Sequence, residues 1–566
     1  MENDATYLAN RQDAETGRAV YEAVNREFEQ GYELNEALLM RILRENSETE
    51  YGRRYGFSEI TSVAEYQKRV PVIVYGDIAG DIERMANGEQ NILTAYPFKH
   101  MNETSATTGK AKWIPMTLEQ SQVFLRYNNQ YMNGLKAALL GEDWLKGRAF
   151  CTSEGSHRTL PSGITVGSAA SVMADYVRGG KETLGAMMTT LFTSPMEATL
   201  PVPKTDTKYI HARFALMDEN ITGIICGFYS IVINYLQYIA DHYELLIDDI
   251  EHGTISEDVT LTPEVRESLL SKIQPMPERA ARLREIFKNG SDFCFVPEVW
   301  PHISYIYGVG GDGFSIYDRI LKERYTGGCL KNIYAGVTAS EGLWSVPGGI
   351  DTEDSVLAPN SVFFEFLPVE CGDDFTKCVT MDKVEVGKVY EIIATNLCGF
   401  YRYRTSDAVK VTGFRGNTPT IRFMYRVNRT INMAAEKTSE KALQVAVENT
   451  MSELGLALSD FSVYPDYGNM TYVFLIEPMK ENVGVSEEQL SACVCKHLCE
   501  ANDEFRYCCL ETARLRPPVA HWLQPQTAML YTDMMVYRGA PANQVKPVRV
   551  IQNKTQREFF FKLLMR

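Results

Sequence analysis

Apolar residues recur at helical spacing through roughly the first 75 positions. "RAVYEAVNREF" and "NEALLMRILRENSE" each gather an apolar stripe on one face, and "VPVIVY" then reads as an extended segment. The segment 117–140 opens on Thr117 and Gln120, the spacing of a capping box, and predicts a long helix. From 145 to 410 short apolar runs alternate with helical patterns. "GITVGSAAS", "DFCFVPEVW", "ISYIYGV", "NIYAGVTAS", "SVFFEFLPV", "KVYEIIAT" and "DAVKVTGF" read as strands, and "SIYDRILKERY" as a helix. Such alternation predicts an α/β fold with mixed sheets.

The pattern changes near 425–440, where "YRVNRTINMAAEKTSEKALQ" passes from strand to helix with little apolar content at the junction. A compact set follows: helix 439–454, strand "FSVYP", turn "DYGN", strand "TYVFLIEP", and helix 486–501 with a Ser486/Gln489 capping box. The expected division is a large N-terminal α/β domain over 1–428 and a small α+β domain over 429–566, with a hinge at 426–436. The uncharged run 221–240 is long enough to span a bilayer. It carries Asn234 and Gln237, however, and acidic residues rather than lysine or arginine flank it, so it reads as a buried strand leading into a helix. The opening "MENDATYLAN" lacks the basic start and apolar run of a signal peptide, so the expectation is a cytoplasmic protein.

Charge and cysteine content narrow the picture further. A net charge of −16 argues against nonspecific nucleic-acid binding but leaves room for a local phosphate site. Twelve cysteines in 566 residues are too sparse for a disulfide scaffold. One cluster, "CVCKHLCEANDEFRYCC", holds Cys493, Cys495, His497, Cys499, Cys508 and Cys509. Because Cys493 to Cys499 fall on one helix, residues two apart point in different directions, and buried thiols are a better reading than a zinc site.

Four motifs carry candidate chemistry. "ETSATTGKAKW" at 103–113 has the hydroxyls, glycine and lysines of a phosphate loop, but not Walker spacing, and a strand rather than a helix follows it. Alone it is a turn, or an anion-binding concavity of backbone N–H groups. "GVGGDG" sets Gly308, Gly310 and Gly313 in dinucleotide spacing, yet no acidic strand end follows where that fold needs one. "VTASEG" places Glu341 after an apolar strand, suited to Mg²⁺ or to a helix N-terminus. "GFYRYRTSD" packs Arg402, Arg404 and Asp407 between strands, where Asp407 is either a turn former or an acceptor for ribose hydroxyls.

In this order the hydroxyl-rich loop, the Ser-Glu motif and the Tyr-Arg-Tyr-Arg motif with its aspartate resemble the adenylate-forming superfamily. Within it the chain resembles the GH3 family of acyl-acid amido synthetases, the auxin-responsive type known from plants and also found in bacteria. "TEYGRRYGF", "VPVIVYGDI", "NGEQNILTAYPF", "APNSVFFEFLPV", "EKTSE" and "NQVKPVR" match family landmarks from residue 50 to about 550. The resemblance implies that Ser105, Ala106, Thr107, Thr108 and Gly109 form the ATP-phosphate loop, with Lys112 as its lysine. It places Ala339 and Ser340 beside the nucleotide, Glu341 at Mg²⁺ and the α-phosphate, and Asp407 at the ribose, framed by Tyr401 and Arg404. Arg426 corresponds to the hinge arginine near the ribose, and Lys546 to the lysine that swings in during adenylation. Two positions depart from the pattern: Ala106 and Ser406 stand where glycines are usual.

What the resemblance implies is an ATP- and Mg²⁺-dependent ligase. It would activate a small carboxylic acid as acyl-AMP with release of pyrophosphate, then pass the acyl group to an amine, expected to be an amino acid. The small domain would rotate between the steps. An acyl-coenzyme A ligase and a catalytically silent nucleotide-binding protein are the competing readings, the latter motivated by Ala106 and Ser406. Neither nucleic acid nor membrane is expected as a partner. Val172, Met173, Tyr307, Gly308 and Gly311, with the 117–140 helix, are the candidate acyl pocket, and nothing in them names the acid.

Overall fold

The computed structural model describes residues 4–104, 112–155, 157–168, 185, 188–202, 205–311, 314–427, 431–434, 436, 438–481, 483–538, 540 and 545–565. Helices fill the N-terminal stretch as the apolar spacing predicts. The first two are Ala5–Glu27, opened by Asp4 accepting from Thr6 N–H, and Gly31–Glu45, which buries Leu38, Leu39, Ile42 and Leu43. Thr49 and Ser62 cap the two short helices after them with their hydroxyls, each satisfying one orphan N–H.

Strands β1 (Phe98–Glu103) and β2 (Trp113–Thr117) flank the hydroxyl-rich loop and pair antiparallel. β3 (Arg148–Cys151) belongs to another sheet, while β4 (His157–Thr159) and β5 (Thr165–Gly167) complete the first one in the order β2-β1-β5-β4. β6 (Ile221–Phe228), β7 (Tyr305–Val309) and β8 (Lys331–Tyr334) join β3 in a wholly parallel sheet, β3-β6-β7-β8. The uncharged run 221–240 is β6 followed by the helix Tyr229–His252, as expected. No helix among the described residues is long and apolar enough to cross a membrane.

A two-residue hairpin, β9 (Thr338–Ala339) with β10 (Gly342–Leu343), leads into a six-stranded antiparallel sheet. This sheet contains β11 (Ser345–Pro347), β12 (Ser355–Leu357), β13 (Phe363–Pro368), β14 (Val389–Thr395), β15 (Tyr403–Arg415) and β16 (Thr418–Arg426), in the order β11-β12-β16-β15-β14-β13. Beyond it lie the helix Glu440–Glu453, β17 (Leu458–Asp466), β18 (Thr471–Pro478), the helix Glu487–Ala501 and β19 (Val519–Trp522), with β17-β18-β19 as the last sheet. The Ser486/Gln489 capping box is complete.

Three elements differ from the sequence reading. "DFCFVPEVW" forms the short helix Val296–Val299 instead of a strand, because Pro297 has no N–H for a sheet and suits the first turn of a helix. The Thr117 hydroxyl does accept from Gln120 N–H at 3.1 Å, but the buried Gln120 amide does not return the bond, so only half of that box exists. The helix it opens is not uniform: Leu118–Phe124 and Tyr131–Leu139 are joined by a π-helical stretch over Leu125–Gln130.

The main core runs from Val232, Leu236 and Trp300, beside the parallel sheet, to Val447, Phe474 and Leu498 around the last one. Polar contacts cross at the same place. Arg549 pairs with Asp460 in a buried site and donates to Tyr317 Oη at 2.8 Å, while Tyr317 donates to Asp460 at 3.1 Å. Lys208 meets Asp533 at 2.6 Å nearer the surface. Of the expected hinge, Ile431 and Thr438 exchange backbone bonds, and buried Glu436 accepts from the Tyr472 hydroxyl of β18 at 2.6 Å. That half of the segment is thereby tied to the C-terminal sheet.

Candidate active site

Glu341 is not at a strand end, nor at a helix N-terminus. Ala339 pairs with Gly342 and Thr338 with Leu343, so Ser340 and Glu341 form the two-residue tip of the β9–β10 hairpin. A tip this short fixes where its side chains emerge. It is anchored on two sides: Asn396 donates to the Glu341 carbonyl at 2.7 Å and Asn102 of β1 to the Ser340 carbonyl at 3.3 Å.

Facing the tip are β15 and β16, which pair Asp407 directly with Arg426. Arg426 Nε donates to Asp407 Oδ1 at 2.8 Å, and Trp344 Nε1 reaches Oδ2 at a long 3.4 Å. Asp407 is therefore a strand residue, not a turn former. An ionised carboxylate has lone pairs for more acceptor contacts than these two, so it can still receive hydroxyl donors. The bend in β15 that turns Asp407 inward occurs at a register shift, and Ser406 takes a left-handed conformation there with φ 64°. This explains the usual glycine at that position: a Cβ makes the left-handed region costly.

The electrostatics link the hairpin to these strands. Burial lifts the Glu341 carboxyl above the usual carboxylate range and Asp407 adds to the effect, while Arg426 and Lys112 oppose it. Asp407, followed by Glu341, holds the Arg426 guanidinium more firmly charged. Burial, and after it the neighbouring Glu341 carboxylate, makes the Tyr403 phenol harder to ionise, and Lys112 Nζ lies 3.4 Å from the Tyr403 hydroxyl and 5.5 Å from the centre of the Tyr75 ring. Two carboxylates and two cations from four chain segments thus share one site.

Buried polar atoms without protein partners point to ligand contacts. Among the described residues, neither end of the Gln120 side-chain amide nor the Oδ1 of Asn102 has a hydrogen-bond partner. The Gln120 helix packs against β10, and Asn102 already touches the hairpin tip. Sequence reasoning missed Asn102, Gln120, Trp344 and Asn396, which carry no motif spacing, and assigned no role to Tyr403 inside the Tyr-Arg-Tyr-Arg motif. Of the first four only Gln120 was legible, and then as a helix cap.

Other expected residues lie elsewhere or do different work. Tyr401 is wholly buried, stacked on Tyr51 at 4.8 Å and donating to the Leu93 carbonyl at 2.8 Å, so it holds the N-terminal core and does not frame Asp407. Arg404 is engaged by Glu391 at 2.8 Å and Asp373 at 2.7 Å, away from Asp407. Tyr307 is buried and donates to Asn128 at 2.7 Å. Gly308 leaves space that Cys226 fills, and Gly311 has φ 68° in a turn held by its N–H on Asp318 at 3.0 Å. Gly308 and Gly311 thus serve packing and chain reversal, and Gly310, the second glycine of the dinucleotide-like spacing, is packed against Asp318 and Tyr229. Lys546 sits with its ammonium 5.6 Å from the centre of the Phe228 ring, at the carboxyl end of β6. It lines a cavity of about 160 Å³ with Asp460, Tyr317 and Gln237. The neighbouring backbone is tied to β17, since Val463 exchanges bonds with Arg549 and Ile551. Ser105, Ala106, Thr107, Thr108, Gly109, Val172, Met173 and Gly313 lie outside the described residues.

Three family models match successive stretches: the GH3 family N-terminal domain over 21–330, the central domain over 355–426 and the C-terminal domain over 441–555. An indole-3-acetic acid-amido synthetase from Arabidopsis thaliana is 27% identical over 540 residues, covering 92% of this chain and 89% of its own. A jasmonoyl–L-amino acid synthetase from Oryza sativa subsp. japonica is 28% identical over 482 residues, covering 80% and 81%. A solved acyl acid amido synthetase superposes with a TM-score of 0.85 at 22% identity, covering 97% of both chains, and so has the same fold.

Proposed function

The chain belongs to the GH3 family, and on that premise we propose that it is an ATP-dependent acid–amino acid ligase whose adenylation site is the hairpin-tip cluster. A carboxylate does not acylate an amine at neutral pH because its oxygen is a poor leaving group. Joining it to AMP with loss of pyrophosphate supplies a good one, which the amine then expels.

The observation that carries the reading is the convergence of Glu341, Asp407 and Arg426 beside the Gln120 amide and the Asn102 Oδ1, which have no hydrogen-bond partner among the described residues. Asp407 accepts from the ribose hydroxyls, and Arg426 holds it in place while facing the developing phosphate charge. Lys112 and the 105–109 loop receive the ATP phosphates. Attack on the α-phosphate builds negative charge, so preorganised donors and cations there lower the barrier. Mg²⁺ suits one carboxylate plus phosphate oxygens, which Glu341 offers, and when bound it would add positive charge at the α-phosphate. The Gln120 and Asn102 amides offer hydrogen bonds to the adenylate or the acid.

The small domain, 429–566, rotates between the half-reactions, and Lys546 travels with it to and from the α-phosphate. The acid and the amine are small molecules of the classes named for the relatives, a carboxylic acid and an amino acid. The test is a screen of pure protein with ATP, Mg²⁺ and a matrix of acids and amino acids, run with and without coenzyme A, reading pyrophosphate release and product mass. Acid-dependent pyrophosphate with an amide product is expected. Thioester formation without amide would make it a coenzyme A ligase, and no acid-dependent release across the matrix would end the proposal.

A further inference from the structure

The cysteine cluster of the C-terminal part is two separate groups on two faces of one helix. Along Glu487–Ala501, Cys495 and Cys499 form one group with Cys509, the Cys495 thiol lying next to both of the others. Cys493 and His497, one turn apart, face the helix Glu440–Glu453 instead. There the side chain of Glu453 meets them. The Cys493 sulfur, a His497 ring nitrogen and a Glu453 carboxylate oxygen all lie within 4.8 Å of one another.

We propose that Glu453, Cys493 and His497 bind a borderline-soft divalent cation, Zn²⁺, which clamps these two helices together. Donor type argues for this ion: thiolate and imidazole suit Zn²⁺, whereas Mg²⁺ takes oxygen ligands. A second feature concerns the histidine. His497 Nε2 lies 2.9 Å from Glu453 Oε2, while Nδ1 lies 2.8 Å from Glu500 Oε2. A carboxylate on the far nitrogen is the support that metal-binding imidazoles use; it fixes the tautomer and presents Nε2 to the ion. Exposure fits as well: Cys493 and His497 are buried, but Glu453 is 45% exposed, which leaves water access to a fourth position.

Charge balances at the site. On binding, water takes the Cys493 proton and the one that His497 Nε2 and Glu453 Oε2 share at 2.9 Å, so one thiolate and one carboxylate neutralise the cation around a neutral imidazole. Lys496 shares Glu453 Oε2 at 2.6 Å in the metal-free structure and is exposed enough to turn into solvent. The sequence hid this arrangement because its third ligand comes from the preceding helix, outside the cysteine cluster.

The test uses the full-length protein with Co²⁺ or Zn²⁺ as the only added metal. One equivalent of Co²⁺ is expected to give tetrahedral ligand-field bands and a thiolate-to-cobalt charge-transfer band. Cys493→Ser should abolish the charge-transfer band, whereas the combined Cys495→Ser, Cys499→Ser and Cys509→Ser variant should retain it. Should Cys493→Ser fail to fold, the exposed pair carries the test. By competition with a chromophoric chelator, Glu500→Gln is expected to weaken Zn²⁺ binding by about 10- to 100-fold, and Glu453→Gln by more. Absence of the charge-transfer band in the parent, its persistence in Cys493→Ser, or unchanged Zn²⁺ affinity in both glutamate variants would overturn the proposal.

Discussion

Two arginine–carboxylate pairs sit on the same antiparallel sheet and have opposite characters. Arg402 and Glu365 are sealed: Nε and Nη2 grip the two carboxylate oxygens at 2.9 Å each, and Nη1 donates to the carbonyls of Gln67 and Val70. Gln67 completes Glu365 at 2.9 Å, so the pair pins the N-terminal helices to the sheet. Arg426 and Asp407 share one short bond, the arginine is 33% exposed, and a second carboxylate, Glu341, sits close by. A buried charge is tolerable when every donor and acceptor is matched. Spare capacity in a half-open cluster is what a substrate can use. The first pair serves stability and the second serves chemistry in the proposed reading, although the string "GFYRYRTSD" holds one member of each, Arg402 and Asp407.

Removing one partner at each place separates the two roles. Arg402→Ala strands the buried Glu365 carboxylate and should cost about 3–5 kcal/mol of stability, seen in urea or thermal unfolding. A soluble variant with parental stability would break the comparison. Asp407→Asn should leave stability within about 1 kcal/mol, because Arg426 keeps Glu341 and solvent as partners. Its kcat/KM for ATP should drop about 10- to 100-fold, the worth of a hydrogen bond to a charged group.

Glu341 gives a pH signature. Its folded carboxyl holds a proton to higher pH than an unfolded one, so its contribution to stability declines as pH rises from the unfolded pKa through the folded one. At neutral pH the ionised form is a liability to the fold. Glu341→Gln should therefore raise Tm slightly near pH 7 while lowering pyrophosphate release. In the parent, the acid limb of activity should fall above the ordinary carboxylate range. The smallest effect is expected at Ser406. Ser406→Gly relieves a left-handed serine but frees the unfolded chain, for a net gain under about 1 kcal/mol in an unfolding midpoint.

Much of the architecture was legible. β6 and its helix, the strand β2 after the hydroxyl-rich loop, the paired strands near Asp407 and the C-terminal helix–strand set all follow from local periodicity. What periodicity cannot encode is approach in space. Trp344 and Asn396 join the site only because the hairpin folds back on the sheet, and Asn102 only because β1 passes its tip. Tyr401 shows the converse: it sits inside the right motif, yet its ring packs on Tyr51 on the other side of the chain. "DFCFVPEVW" failed for a local reason, since its proline outweighed its apolar run.

The Tyr317–Asp460–Arg549 trio bears on how fast the C-terminal part can move. Arg549 and Asp460 both belong to that part, so the proposed rotation would carry the ion pair along intact, and water would replace the Tyr317 phenol that stays behind. No charges separate at this buried contact. The part-exposed Lys208–Asp533 bridge would separate charge when the boundary opens. The kinetics of rotation should then respond to ionic strength through that surface bridge, while the buried joint sets a salt-independent floor to the rate.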